Sequence, residues 1–135
     1  IPAGGSATPI TREVLDRNLQ YMQMDGSKVF KIAVRKMQEA AVEALEEAGM
    51  PADELDWVIC HQANVRIINA VEEKLGLPRE KMIINIDKYG NTSAASIPLA
   101  FDEARNDGRI ESGDTILKIA FGGGLTWASS IMTLP

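Results

Sequence analysis

One stretch limits what this chain can fold into more than any other. Asp56-Trp57-Val58-Ile59-Cys60-His61-Gln62-Ala63-Asn64-Val65-Arg66-Ile67-Ile68 changes its hydrophobic period halfway along. Residues 57–60 are a short apolar run with β-branched members, the pattern of a buried strand. From residue 63 the apolar positions Ile67, Ile68, Val71 and Leu75 fall at helical spacing, and Gly76 and Pro78 close the segment. His61, the chain's only histidine, lies at the seam. In α/β proteins a strand end that opens into a helix holds a side chain in place and leaves it accessible. A lone histidine is more often structural than catalytic, so His61 needs a partner. Asn91 in Tyr89-Gly90-Asn91-Thr92-Ser93 offers one, where a second apolar run at 82–86 reaches a polar turn before another helix. If the two runs are neighbours, both side chains can reach one cleft.

The same alternation of patterns gives the rest of the core. Val29, Phe30, Ala33, Val34, Met37, Ala41, Ala44, Leu45 and Ala48 predict a helix over 28–48, ended by Gly49 and Pro51. A further helix is expected over about 93–106, kinked or delayed by Pro98. Strands are expected at 115–121 and 125–133, joined by the glycines at 122–124. Residues 1–20 read as a leading loop with a turn of helix after Pro9-Ile10-Thr11, and 21–24 as a short strand. The sum is one domain over 1–135 with its core at 21–135, β-α-β-α-β-β after a leading helix, and about four strands. This is an α/β layered sheet with helices. Helices so apolar on their inner faces, on so few strands, predict a half-fold that rests against another half or another chain.

Charge and cysteine content narrow the function. Lys and Arg number 14 against 19 Asp and Glu, a net charge of -5, which argues against nonspecific nucleic-acid binding. The single cysteine excludes an internal disulfide framework, and no metal site is expected. No signal-peptide pattern and no membrane-spanning apolar run is present, so no membrane is expected and a cytoplasmic location is the default. The start Ile-Pro-Ala-Gly-Gly, without methionine, fits a fragment, a processed product or an edited chain.

Each candidate has a plain structural alternative. Asn91 serves equally as a helix cap. Asn91-Thr92-Ser93 also matches a glycosylation sequon, which nothing else supports. Two glycines suffice for a hairpin turn, whereas three permit close backbone approach to a ligand. Arg66 is most simply a solvated side chain. Cys60 adjoins His61, but neighbours on a strand face opposite ways, and burial would raise its thiol pKa, so it is not expected to be a nucleophile. The competing geometry ends the strand at Ile59 and turns Cys60 into the site.

Taken together, Asp56-Trp57, His61-Gln62-Ala63-Asn64 with Arg66-Ile67-Ile68, Gly90-Asn91-Thr92-Ser93-Ala94-Ala95-Ser96, Asp107-Gly108-Arg109-Ile110 and Ala120-Phe121-Gly122-Gly123-Gly124 with Thr126-Trp127 resemble the C-terminal half of β-ketoacyl-acyl carrier protein synthase III. The resemblance covers about residues 21–134. It implies the C-terminal half of a thiolase-like fold, incomplete without an N-terminal half that carries the nucleophilic cysteine, and usually a homodimer. It implies that an acyl-CoA starter is joined to malonyl-acyl carrier protein with loss of carbon dioxide, beginning fatty-acid synthesis, with no covalently bound cofactor. By the same resemblance His61 and Asn91 match the histidine and asparagine of a Cys-His-Asn triad. Gly123 matches the glycine whose N–H holds the acyl-thioester oxygen, and Phe121 the aromatic beside the nucleophile. Ala63, Asn64 and Arg66 match positions near the pantetheine arm and the carrier-docking surface, and Met24, Gly26 and Phe30 the acyl-pocket wall. Ser27 departs from the family's asparagine. A chalcone-synthase-like or hydroxymethylglutaryl-CoA-synthase-like enzyme, and a noncatalytic dimerisation or carrier-binding half, are the alternatives.

Overall fold

The computed structural model describes residues 2–135. The chain runs α1 (Arg12–Asp16), α2 (Gly26–Ala48), β1 (Trp57–Cys60), α3 (Val65–Leu75), α4 (Ile86–Tyr89), α5 (Ser96–Asn106), β2 (Thr115–Gly122) and β3 (Thr126–Thr133), with single 3-10 turns between some of these. The described residues hold one sheet in the order β1-β2-β3. β1 and β2 are parallel, with Trp57 opposite Ile116 and Cys60 opposite Ile119. β2 and β3 form an antiparallel hairpin in which Phe121 faces Trp127.

Alternation along the strands sorts the core into two layers. Val58, Cys60, Leu117 and Ile119 pack against Met37, Ala41 and Leu45 of α2 and Ile68 and Val71 of α3. Ile59 and Ile116 point the other way, against Ala100 and Ala104 of α5. Small residues at 100 and 104 let that helix lie close to the sheet. Asp25 caps α2 by accepting the Lys28 N–H at 3.1 Å, and Gly49, at φ 63°, ends it in the left-handed region. The Asp56-Trp57 pair joins the starts of β1 and β2. The Asp56 carboxylate accepts the Thr115 N–H at 2.7 Å, and the Trp57 indole donates to Asp114 at 2.8 Å.

Two expectations, both of strands, are corrected. Residues 82–86 form no strand: one bridge pairs Met82 with Val58, and by Ile86 the chain has entered the short α4. The described sheet therefore has three strands rather than four. Residues 21–24 are exposed and pair with no strand. At Pro98 the delayed start, one of the two expected outcomes, is the one observed: α5 proper begins at Ser96 after a separate turn at Ser93–Ala95, and the proline is its third residue. Its missing N–H thus falls in the first turn, where no intrahelical acceptor exists. Boundaries also move slightly: α2 starts at Gly26, α3 at Val65 and β3 at Thr126.

Candidate active site

Parallel strands present their carboxyl ends on one side, the usual place for a site in a layered α/β sheet. β1 and β2 do so here. A cleft of about 330 Å³ opens beyond those ends, lined by His61, by Ser93 and Ala94 of the turn before α5, by Ser96 and Ile97 at its start, by Ala120, Phe121 and Gly122 of β2, and by Thr126, Trp127 and Ala128 of β3. None of these residues is charged. A charge that develops in the cleft is therefore met by dipoles and N–H groups.

His61 follows β1 directly, and its N–H donates to the Ile119 carbonyl at 2.7 Å, so the sheet fixes its backbone. The side chain is half-buried, and burial holds the imidazole below its ordinary pKa, favouring the neutral ring. Its Nδ1 lies 2.6 Å from the Ser96 hydroxyl. That contact joins residues 35 apart in sequence, and the motif that contains Ser96 gave it no role. The same hydroxyl accepts the Gln62 N–H at 3.2 Å. Gln62 is 1% exposed, and its side chain donates to the carbonyls of Cys60 and Ile83 and accepts the Asn85 N–H. A buried amide thus joins the end of β1 to the segment that leads to Asn91.

Asn91 is exposed and is absent from the cleft lining. Its Oδ1 accepts the Ser93 N–H at 2.9 Å, a local turn contact two residues on rather than the helix cap that was its structural alternative, since the N-caps of the turn and of α5 are Thr92 and Ala95. Ser93 itself is held at φ 56°, a costly conformation for a residue with a side chain, and it does line the cleft. With Oδ1 engaged, the orientation of the Asn91 amide is set and its Nδ2 hydrogens remain available.

The other predicted residues divide. Phe121 lines the cleft, and so does Gly122, whereas Gly123 does not. Space does not demand glycine at 123, since a Cβ there would meet nothing within 4 Å. The turn's left-handed positions are Gly124 at φ 80° and Leu125 at φ 56°. Asn64 caps α3 by accepting the Arg66 N–H at 2.9 Å, with the half-buried Ala63 just before it. Arg66 is exposed, lies 4.8 Å over the Phe30 ring, and makes no ion pair among the described residues. Phe30 packs on the α2–α3 side of the core, Gly26 opens α2 onto empty space, and Met24 is solvent-exposed. None of the three lines the cleft. Cys60 is fully buried among the apolar side chains of the α2–α3 layer, the opposite side from Ile59. No helix among the described residues is long and apolar enough to cross a membrane.

Solved structures with this arrangement are thiolase-like. The β-ketoacyl-[acyl carrier protein] synthase III of Thermus thermophilus superposes with a TM-score of 0.81 at 51% identity, over 84% of this chain and 35% of that one. The 3-oxoacyl-[acyl-carrier-protein] synthase III of Aquifex aeolicus gives 0.82 at 54%, over 86% and 38%. What is present is therefore part of a thiolase-like α/β fold. The chain belongs to the family of the C-terminal part of 3-oxoacyl-[acyl-carrier-protein] synthase III, whose model matches residues 45–134. The β-ketoacyl-[acyl-carrier-protein] synthase III of Clostridioides difficile is 49% identical over 132 residues, which are 98% of this chain and 40% of that protein. The chain thus spans about two fifths of the length of the curated relatives it matches.

Proposed function

We propose that this chain supplies the enolate-stabilising half of a decarboxylating condensing enzyme, with His61 and Asn91 as its donors. The substrates are an acyl-CoA starter and malonyl-acyl carrier protein, and the product opens fatty-acid synthesis in the cytoplasm. A complementary N-terminal half brings the cysteine that carries the acyl group, and the complete enzyme works as a homodimer. One observation carries the reading: a neutral imidazole lines an uncharged cleft at the carboxyl ends of β1 and β2, in a chain of this family.

Loss of carbon dioxide from a malonyl thioester leaves its electron pair on the α-carbon and spreads negative charge to the thioester oxygen. Neutral N–H donors aimed at that oxygen stabilise the charge as it forms, without a proton changing hands. His61 suits this because burial disfavours its cation. Asn91 suits it because the bond from the Ser93 N–H occupies Oδ1 and leaves Nδ2 to donate. A carboxylate at either position would oppose the developing charge. The carbanion then attacks the acyl-cysteine carbonyl, and the cysteine thiolate leaves. Backbone N–H groups, Gly123 among them, hold that carbonyl oxygen beside Phe121. Ala63, Asn64 and Arg66 lie toward the pantetheine arm and the carrier. Met24, Gly26 and Phe30 complete an acyl-pocket wall only against the other half, which accounts for their position outside the cleft. No step calls for a bound cofactor.

The test pairs the chain with its complementary half. His61→Ala and Asn91→Ala should each slow malonyl-thioester decarboxylation by about 10²–10³, the usual effect of removing one such donor. Acyl transfer to the cysteine should remain measurable. Asn91→Asp keeps the acceptor for the Ser93 N–H and removes the donor, so it should be slower still than Asn91→Ala. Wild-type condensation by Asn91→Asp would overturn the reading.

A further inference from the structure

We propose that Ser96 is a positioning residue for His61: its hydroxyl donates to Nδ1 and keeps the ring's single hydrogen on Nε2. The inference rests on the reading of His61 as a neutral donor, and it adds which nitrogen donates and what holds it so.

The argument is a count of hydrogens at a buried oxygen. Ser96 is 2% exposed. Its Oγ accepts the Gln62 N–H at 3.2 Å and lies 2.6 Å from Nδ1. A hydroxyl has one hydrogen to give and two lone pairs to receive with. If Nδ1 carried the ring hydrogen, Oγ would accept from both neighbours. Its own hydrogen would then have no acceptor among the described residues, a costly state for a buried group. With the hydroxyl donating, the Gln62 N–H fills a lone pair of Oγ, the hydroxyl hydrogen fills Nδ1, and only Nε2–H is left to act. The ring lines the cleft, so that donor is the one a substrate oxygen can meet.

The surroundings hold this arrangement rigid. The Gln62 N–H is fixed because the side chain of the same residue is tied to the carbonyls of Cys60 and Ile83 and to the Asn85 N–H. Ser96 is fixed because it opens α5, whose Ala100 and Ala104 are packed on the sheet. The serine and the histidine therefore come from two elements locked to one core. Backbone propensity does not explain a serine at 96, since the residue before it, Ala95, occupies the N-cap.

The sole histidine makes the test direct. The full chain, labelled with ¹⁵N in the imidazole, gives one pair of ring-nitrogen signals in a long-range ¹H–¹⁵N correlation spectrum. At neutral pH, Nδ1 should resonate as an unprotonated, hydrogen-bonded nitrogen and Nε2 as a protonated one. Ser96→Ala should move Nδ1 toward the unbonded frequency and average the two signals as the second tautomer is admitted. Ser96→Thr, which keeps the hydroxyl, should restore the wild-type pattern. An Nδ1–H tautomer in the wild-type chain would overturn the proposal before any variant is made, whether or not Ser96→Ala folds. Ring signals unchanged in Ser96→Ala would overturn it too. The decarboxylation assay with His61→Ala separates this from the reading beneath it. Full dependence on His61 with an Nδ1–H ring sinks the role of Ser96 alone. An Nε2–H ring with no dependence on His61 leaves the tautomer lock standing and sinks the donor role.

Discussion

Cys60 and His61 share a peptide bond but meet different environments. The thiol is enclosed by apolar side chains, and burial pushes its pKa from an ordinary 9.0 to about 12. At pH 8 the native chain should therefore resist a thiol reagent that labels the unfolded chain at once, and incubation with an acyl-CoA should leave the intact mass unchanged. A stoichiometric acyl adduct on Cys60 would make this residue a nucleophile after all. The linkage has a definite sign. Above pH 9 the unfolded thiol ionises while the folded one stays protonated, so stability declines as pH rises from about 9 toward 12. His61 acts at the other end of the scale. Its folded pKa lies below the ordinary 6.5, so its contribution is complete above that value and is lost as pH falls through the folded pKa. The opposed facing of these two residues follows from strand alternation, which can be read in a sequence. The pairing of His61 with Ser96 joins two distant segments and carries no periodic signal, so only the fold reveals it.

Among the elements, those with a sustained period were legible and the short runs at 21–24 and 82–86 were not. α2 and α3 announce themselves by apolar spacing and by closing glycines, and β1, β2 and β3 by short apolar or alternating runs. The run at 82–86 carries the same apolar signal, yet only Met82 pairs with β1. Beyond it a side chain replaces the ladder: Gln62 donates to the Ile83 carbonyl and accepts the Asn85 N–H. Buried backbone groups need partners of some kind, and residue preferences do not report when a glutamine provides them. α3 also presents Arg66, whose guanidinium rests on Phe30 and is free of any carboxylate among the described residues. Resting on a ring contributes about 0.5–1 kcal/mol at an exposed site, so replacing the arginine should cost little stability. Arg66→Glu should instead raise the KM for malonyl-acyl carrier protein far more than for malonyl-CoA, because a carrier that is acidic must dock on local positive charge. Equal changes in the two KM values would show that this side chain does not read the carrier.

At the scale of the whole molecule, the faces that belong to a larger fold remain uncovered. β3 is an edge strand with no charged residue and no proline, the devices that usually protect such an edge. Trp127 on that strand and Leu125 just before it are exposed, and elsewhere Met22 and Met24 are more so. Apolar surface of this kind seldom stays open in a monomer. The 135-residue chain should accordingly self-associate or bind its complementary half, and light scattering from dilute solution checks this. A stable monomer that takes up no hydrophobic dye would count against it. The two tryptophans lie in different places. Trp57 is tied to Asp114 at the base of the sheet, away from the cleft lining, whereas Trp127 stands in that lining with the Lys36 ammonium 4.6 Å from its ring. Their fluorescence is therefore spatially coded. A molecule seated in the cleft should change the light from Trp127, while that from Trp57 should follow the β1–β2 junction, and the variants Trp57→Phe and Trp127→Phe separate the two signals.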